Sequence, residues 1–285
     1  MRRSPTSPSA WRFLNTGDGP ASFNMALDEA IADSVRDESS PPTIRVYGWN
    51  PSAVSLGYAQ KLNEEVDPAK CDRYGIQIVR RQTGGRTVLH ADDLTYSVIA
   101  PEDHPAIGKS AYENYRLVSE ALLTALKSIG VPGELSAGPD STPEGFQGVC
   151  FSYAARFELV VQRKKIVGSA QRRSRGMVLQ HGTLLLGPSH KKLSLLLPNT
   201  HHEKCESLMK ELNEKTISVS EVLNRRVPLD ELIPIVRSGF ETTLGISTDD
   251  LPLSHEELTA ANILVAEKYG TREWTTRSKP NHALR

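Results

Sequence analysis

Short strand-like runs fill the middle of the chain without the regular spacing by helices that a parallel sheet requires. These runs are rich in β-branched and apolar residues, and they occupy 43–47, 53–56, 76–79, 87–89, 94–100, 157–161, 165–169 and 177–186. Helical patterns come before and after them, which predicts an α+β fold with a mixed β-sheet flanked by helices. We expect the last three runs to form a three-stranded meander.

Apolar residues at helical spacing predict the flanking helices. The clearest stripe lies in 111–129, and a glycine follows its end. A second helix is expected over 22–35, with Ser22 available as its N-cap. Asp67 precedes Pro68, a pair that is typical of a helix start. Beyond residue 193 the pattern predicts helices over about 203–212, 218–224, 229–243 and 255–268.

The balance of charges argues against binding to nucleic acid through bulk charge. The 285 residues include 34 Lys and Arg against 34 Asp and Glu, for a formal net charge of +0. No apolar run approaches the roughly 18 residues that span a bilayer, and no signal-peptide core follows the first residues. Cys71, Cys150 and Cys205 are too few and too scattered for a disulfide framework. We therefore predict a globular, cytoplasmic protein whose partners include neither nucleic acid nor membrane.

Some motif-like strings do not meet the requirements of the sites that they imitate. The Gly-Lys-Ser string at 108–110 ends like a P-loop, but Asp103 stands where the first glycine of that motif belongs. The two histidines at 201–202 precede Cys205 with loosely metal-like spacing, yet no second pair of ligands accompanies them. We interpret Cys205, and likewise Cys71, as a structural thiol. No metal site is predicted.

A Gly-Gly turn flanked by arginines joins two strand-like runs within 80–90. Gly84 and Gly85 allow the backbone to approach a ligand closely and expose its N–H groups. Taken alone, the block is equally consistent with a tight turn between solvated arginines.

Two further strings place a titratable residue beside small ones. Strand periodicity puts Lys165 on one face with Ser169, and the small residues Gly168 and Ala170 on the other. A lysine at such a strand end can project into a cleft, and an ordinary hairpin lysine is the alternative. On the next run His181 precedes a glycine and a threonine, and a hydrogen-bonded core histidine is the simplest interpretation there.

Blocks along most of the chain, taken in order, form a specific pattern. They lie at 11–14, 23–30, 45–51, 80–90, 94–98, 149–151, 158–161, 165–171 and 179–186. Together they resemble the lipoate-protein ligase A and octanoyltransferase superfamily, a sister of the biotin protein ligases, and most closely its octanoyltransferases of the LipM type. The likeness runs from about residue 11 to about residue 200 and thins beyond. Gln82 and Ala91 are small departures, where the family often has Pro and Asp.

The resemblance implies a mixed α/β catalytic domain with an acyl tunnel over the sheet. It implies that Lys165 is the family's essential lysine and that Cys150 is the cysteine that accepts the acyl group. Whether His90 or His181 transfers protons or only supports the loops stays open. The residues that the resemblance implies to bind substrate are Arg80, Arg81, Gly84, Gly85, His90, Gly168, Ser169, Ala170, His181, Gly182 and Thr183.

The resemblance also suggests how the chain is divided. We expect residues 1–10 to be a disordered tail, 11–250 to be the catalytic domain of the biotin and lipoate ligase type, and 251–285 to be a C-terminal helical tail.

The implied reaction moves an octanoyl group in protein lipoylation. The donor is octanoyl-acyl carrier protein, and the acceptor is a lysine of the glycine-cleavage H protein or another lipoyl domain. A cysteine suits a thioester donor because exchange between thiols is nearly isoenergetic, and a neighbouring ammonium favours the thiolate that attacks. Forming an amide from a thioester runs downhill, so we expect neither ATP nor a cofactor.

Three alternatives stay open. They are an ATP-dependent lipoate–protein ligase, an amidotransferase that acts between lipoyl domains, and an inactive module that binds carriers. Ligases of the family need an accessory domain, and only a short tail is expected after the catalytic region here. Cys150 also counts against a ligase, and the intact pair of Cys150 and Lys165 counts against an inactive module.

Cations gather on both sides of Lys165 in an otherwise neutral chain. They are Arg163, Lys164, Arg172, Arg173 and Arg175. We expect them either to dock acidic carrier domains or to form an ordinary solvated hairpin.

Overall fold

A computed structural model of the protein describes residues 10–138, 156–198 and 202–277. Its strands are β1 (Trp11–Gly19), β2 (Thr43–Trp49), β3 (Ala53–Leu56), β4 (Gln77–Arg80), β5 (Val88–His90), β6 (Asp93–Pro101), β7 (Glu134–Leu135), β8 (Leu159–Val161), β9 (Lys164–Lys165), β10 (Val167–Ser174), β11 (Met177–Leu185) and β12 (Thr248–Asp249). Its α-helices are α1 (Ala21–Arg36), α2 (Leu62–Glu65), α3 (Pro68–Arg73), α4 (Ala111–Ser128), α5 (His202–Lys215), α6 (Val219–Leu223), α7 (Leu229–Leu244), α8 (His255–Leu264) and α9 (Arg272–Thr276).

A six-stranded sheet in the order β10-β11-β6-β2-β1-β12 forms the centre of the molecule. In this sheet β1 runs parallel to β2 and to β12, whereas the other neighbours are antiparallel. The predicted mixed sheet flanked by helices is thus confirmed.

Both faces of the central sheet are buried. Successive residues of a strand point to opposite sides, so neighbouring residues of one strand show what covers each face. On β2, Val46 belongs to one core with Val118 of α4 and Phe240 of α7. The next residue, Tyr47, belongs to the opposite core with residues of α1 and α8. The sheet is therefore the middle layer between two pairs of helices.

Two three-stranded sheets flank the central one, in the orders β4-β3-β5 and β7-β8-β9. The predicted meander over 157–186 is wrong, because β8 and β9 belong to a small sheet while β10 and β11 belong to the central one. The chain changes sheets at the buried Ile166, whose N–H bonds to Leu159 and whose carbonyl accepts from Leu185. Lys165 and Ser169 consequently lie on different strands.

The predicted helices are confirmed, with small differences at their ends. Ser110 caps α4 by accepting from the N–H of Glu113, and Asp67 caps α3. Ser22 does not cap α1, because that helix follows Pro20 and Ser22 lies inside its first turn. A π-helical segment, Val265–Tyr269, follows α8. None of the helices within the described ranges is long and apolar enough to cross a membrane.

A buried ion pair joins the first strand to a helix late in the chain. Both Nη atoms of Arg12 bond to the carboxylate of Glu257, at 2.8 and 2.6 Å, and both side chains are almost fully buried. Ser40 also donates to this carboxylate. Glu257 thereby holds α8 against β1 of the central sheet.

We predict that Glu257→Ala lowers the free energy of unfolding by about 3–5 kcal/mol, because it leaves the Arg12 guanidinium buried without a counter-charge. Urea denaturation followed by circular dichroism measures the change. Glu231→Ala is the matched control, since Glu231 pairs with Arg225 in an exposed position. It should change the stability far less, and equal effects from both variants would contradict the structural role of Glu257.

Candidate active site

A narrow cavity lies between the central sheet and the β4-β3-β5 sheet. Its water-accessible volume is about 30 Å³, and its mouth is open to solvent. Residues 168–170 of β10 and 181–183 of β11 form one wall, where the two strands pair side by side. The remaining lining comes from the neighbouring elements and consists of Met25, Tyr47, Trp49, Ser55, Arg81, Val88, His90 and Thr95.

Most of the residues that the sequence implicates in binding meet at this cavity. Those that line it are Arg81, His90, Gly168, Ser169, Ala170, His181, Gly182 and Thr183. Gly84 and Gly85 form an exposed turn facing β10, where a Cβ added to Gly85 would lie 3.7 Å from that of Ala170. Arg80 and Lys165 are not lining residues, and Cys150 lies outside the described residues.

Gly182 is the point of closest approach within the wall. An added Cβ there would lie 2.7 Å from the carbonyl oxygen of Gly168, the hydroxyl of Ser169 and the ring of Tyr96. The missing side chain leaves Tyr96 and Ser169 in a hydrogen bond of 2.6 Å beside the cavity. A strand residue with any side chain would therefore push β10 away from β11.

A buried carboxylate stands behind the cavity. Asp28 of α1 accepts hydrogen bonds from Arg45 at 2.7 Å, Ser97 at 2.9 Å, Tyr47 at 3.1 Å and His181 at 3.3 Å. Burial acts to raise the pKa of Asp28, but the Arg45 guanidinium and the hydrogen bond from His181 outweigh it and hold that pKa below its ordinary value. The group is thus a fixed negative charge.

His181 is held as a neutral imidazole. Burial lowers its pKa, and the nearby Asp28 carboxylate only partly opposes this. Since Asp28 accepts from Nδ1–H, the hydrogen-bond network assigns Nε2 as the acceptor of the Thr83 hydroxyl, at 2.6 Å. His181 therefore fixes the turn that carries Gly84 and Gly85.

His90 is oriented in the same manner from the opposite wall. Its Nδ1 lies 3.1 Å from a carboxylate oxygen of Asp93, and its Nε2 lies 2.8 Å from the hydroxyl of Ser55. The ring stacks on Trp49 with 4.0 Å between centroids. Each histidine of the cavity is thus positioned by a carboxylate on its outer side.

Lys165 forms a buried ion pair instead of projecting into an open cleft. Its Nζ lies 2.6 Å from Oε1 of Glu158, and both side chains are buried. Its backbone carbonyl accepts from Ile217, which ties β9 to the segment after α5. The carboxylate fixes the position of the ammonium.

Arg80 holds together parts of the chain that are far apart in sequence. Its guanidinium donates to the carbonyl oxygens of Gly57, Tyr58 and Gln60, and to those of Trp274 and Thr275. The indole N–H of Trp274 in turn donates to the carbonyl of Arg80 at 2.9 Å. Arg80 consequently supports the wall of the cavity from behind.

The basic residues around Lys165 do not form one uniform surface. Arg163 and Arg175 are exposed. Arg173 donates to the carbonyls of Gly108 and Ser110 and so fixes the loop before α4. Arg172 donates to the carbonyl of Gln82 at 3.2 Å, beside the Gly-Gly turn. The simple solvated hairpin is wrong for Arg172 and Arg173.

The metal-like spacing at 201–205 and the cysteines can now be compared with the structure. Across the described ranges, no group of three or more His, Cys, Asp or Glu side chains is placed to hold a metal ion. Cys71 is buried in α3, and burial followed by the charge of Asp67 raises the pKa of its thiol to about 11. Cys205 is half-buried on α5. His201 lies outside the described residues.

Sequence reasoning assigned no role to three residues of this site. They are Asp28, Thr83 and Glu158. For Asp28 a signal existed, because Asn24 and Asp28 lie four residues apart on the buried face of α1, where polar side chains need partners. Thr83 and Glu158 lie in a turn and beside a short strand, and no periodicity marks them.

The family model for the lipoyl protein ligase A/B catalytic domain matches residues 20–241 of this chain. The chain belongs to this family. Octanoyltransferase LipM from Bacillus subtilis is 37% identical over 269 residues, which are 93% of this chain and 97% of the relative. Octanoyltransferase LipM from Symbiobacterium thermophilum is 39% identical over 271 residues, covering 94% and 98%.

A solved structure has a similar fold. A lipoate-protein ligase A bound with ATP is 26% identical, has a TM-score of 0.76, and covers 95% of this chain and 99% of its own. The fold of lipoyl protein ligase A/B domains therefore extends over almost the whole chain.

We predict that Gly182→Ala destabilises the protein by about 1–3 kcal/mol, because the added methyl group would overlap a backbone oxygen of the neighbouring strand. Thermal unfolding measures the effect. Gly84→Ala is the matched control, since nothing lies within 4 Å of the Cβ position at Gly84. A Gly182→Ala protein as stable as Gly84→Ala would show that the two strands separate freely.

Proposed function

We propose that the protein is an octanoyltransferase. It takes the octanoyl group from a thioester on acyl carrier protein and passes it to a lysine amine of a lipoyl domain, for example that of the glycine-cleavage H protein. The observation that carries this proposal is the likeness to octanoyltransferases over 93% of the chain. A cytoplasmic location fits these partners.

The cavity suits a short, unbranched acyl chain. Two paired strands with small residues at 168–170 and 182 give it a smooth wall, and Met25, Trp49 and Val88 supply apolar surface. Each CH₂ group that leaves water there contributes about 0.8 kcal/mol. Arg81, His90, His181 and Thr183 bring polar atoms to the same space, and we assign them to binding the substrate. Arg80, Gly84 and Gly85 act by shaping the wall and the mouth.

The transfer takes two steps. In the first, the Cys150 thiolate attacks the donor thioester, a new bond forms between its sulfur and the acyl carbon, and the donor sulfur leaves and takes up a proton. In the second, the acceptor amine attacks the acyl carbon, an amide forms, and the sulfur of Cys150 is released while the amine loses a proton. Neither step consumes ATP.

Lys165 supplies positive charge for both steps. Each tetrahedral intermediate carries an oxyanion, and a fixed ammonium stabilises such charge best where water is excluded. Glu158 is a positioning residue, because it holds the ammonium in place at 2.6 Å. A lysine held in this way needs no large movement when charge develops.

Cys150 is expected to carry the acyl group as a covalent intermediate. Incubation with octanoyl-acyl carrier protein should add one octanoyl group to the wild type and none to Cys150→Ala, as read by intact mass. Cys71→Ala is the matched control and should keep the adduct, because its buried thiol has a raised pKa and is not nucleophilic. Full transfer by Cys150→Ala would eliminate the thioester route.

Replacing Lys165 should slow acylation by about 10²–10³-fold, the scale expected for one oxyanion donor. Because removing Lys165 alone would take the ammonium away from the buried Glu158 carboxylate, the variant combines Lys165→Met with Glu158→Gln, which removes both charges together. The rate of adduct formation is the measurement, and circular dichroism checks the fold. Acylation at the wild-type rate would exclude Lys165 from the chemistry.

ATP-dependent ligation is the second candidate, because a lipoate-protein ligase A bound with ATP shares this fold at 26% identity. An ATP–pyrophosphate exchange assay with free octanoate or lipoate separates the two functions. We predict no exchange above background. Rapid exchange that depends on the acid would assign the chain to the ligases, and a Cys150→Ala protein should then remain fully active.

A further inference from the structure

A pair of arginines stacks on one tyrosine beside the mouth of the cavity. We propose that Arg172, Arg277 and Tyr58 form a binding site for the phosphate of the arm that carries the donor thioester. The inference rests on the proposed function, since carrier proteins hold their thioester on an arm attached through a phosphodiester. It adds a recognition site outside the acyl cavity.

The aromatic ring gathers the two cations. The guanidinium of Arg277 lies 5.0 Å from the centroid of the Tyr58 ring, and that of Arg172 lies 5.7 Å from it. Arg277 also lies over the ring of Trp274, at 4.6 Å. Stacking on aromatic rings orients a guanidinium while leaving its edge N–H groups available to an anion.

Among the described residues, neither arginine of this cluster forms an ion pair. Within residues 10–138, 156–198 and 202–277, no carboxylate oxygen lies within 4.0 Å of the guanidinium of Arg172 or Arg277. Arg80 lies behind them, and burial followed by repulsion from Arg277 lowers its pKa. Arg80 and Arg277 are thus close enough to repel each other, and the negative charge of a phosphodiester at Arg277 would relieve that repulsion.

The cluster lies along a line that leaves the cavity. Gly168 and Ala170 line the cavity from one face of β10, and Arg172 is the next residue on that face, roughly 7 Å further along the strand. Arg172 also bonds to the carbonyl of Gln82, beside the Gly-Gly turn. An extended arm that places its acyl end in the cavity would therefore pass this cluster on its way to the carrier.

The chemistry favours a phosphate over a carboxylate surface of the carrier. Guanidinium groups match the oxygens of a phosphate with forked hydrogen bonds. Half-buried side chains around one ring form a compact site, not a broad patch. The net charge of +0 also argues against a nucleic-acid phosphate as the ligand.

The test compares two small donors that differ only by the phosphate, S-octanoyl-pantetheine and S-octanoyl-4′-phosphopantetheine. Calorimetric titration into the Cys150→Ala protein measures their Kd values without turnover. We expect the phosphorylated arm to bind about tenfold more tightly, as one or two charge-assisted bonds would give. Arg172→Gln combined with Arg277→Gln should bring the ratio of the two Kd values close to one.

Two controls make the result specific. Arg277→Gln alone leaves the bond between Arg172 and the carbonyl of Gln82 in place, and it should already reduce the ratio. Arg272 is an exposed arginine at the start of α9, the helix that Arg277 follows, and Arg272→Gln should keep the wild-type ratio. Equal Kd values for the two arms, or no measurable binding of either, would overturn the phosphate site. The octanoyl-transfer assay with intact carrier protein decides the proposed function separately.

Discussion

The carboxylate of Asp28 is the interaction on which the geometry of the cavity depends. It reaches from α1 to three adjacent strands, where Arg45 lies opposite Ser97 and Ser97 lies opposite His181. A buried charge with four donors has one low-energy position, and any shift of α1 would leave a donor unpaired. The helix, the sheet and the imidazole are therefore fixed relative to each other by a single group.

The sequence predicted the layers of the fold well and their connections less well. The stripe over 111–129 has a clear helical period, and the runs at 94–100 and 177–186 are rich in β-branched and apolar residues, so that both kinds of element could be assigned. The passage of the chain from the small sheet to the central sheet at Ile166 has no such signal, because a buried apolar residue looks the same in the sequence whichever sheet it belongs to. The prediction that Lys165 shares a face with Ser169 is wrong for this reason, since it assumed that one continuous strand carries both residues.

The cavity residues were predictable in part because the blocks at 80–90, 165–171 and 179–186 resemble a family, and residues from all three blocks line the cavity. What the sequence could not supply are pairings between distant segments. Arg80 is the example: an arginine beside a Gly-Gly turn suggests a ligand contact, yet its donors go to backbone carbonyls. Only the fold shows that five acceptors surround it.

The bonds of Arg80 to Trp274 and Thr275 have a consequence for synthesis of the chain. They join residues 194 and 195 positions apart, and Arg12 and Glu257 are 245 positions apart. On a translating ribosome the first strand and the Gly-Gly turn emerge long before their partners exist. The cavity wall therefore stays unsupported until α9 has left the exit tunnel, so that its completion depends on the emergence of α9 and not on that of the earlier strands alone.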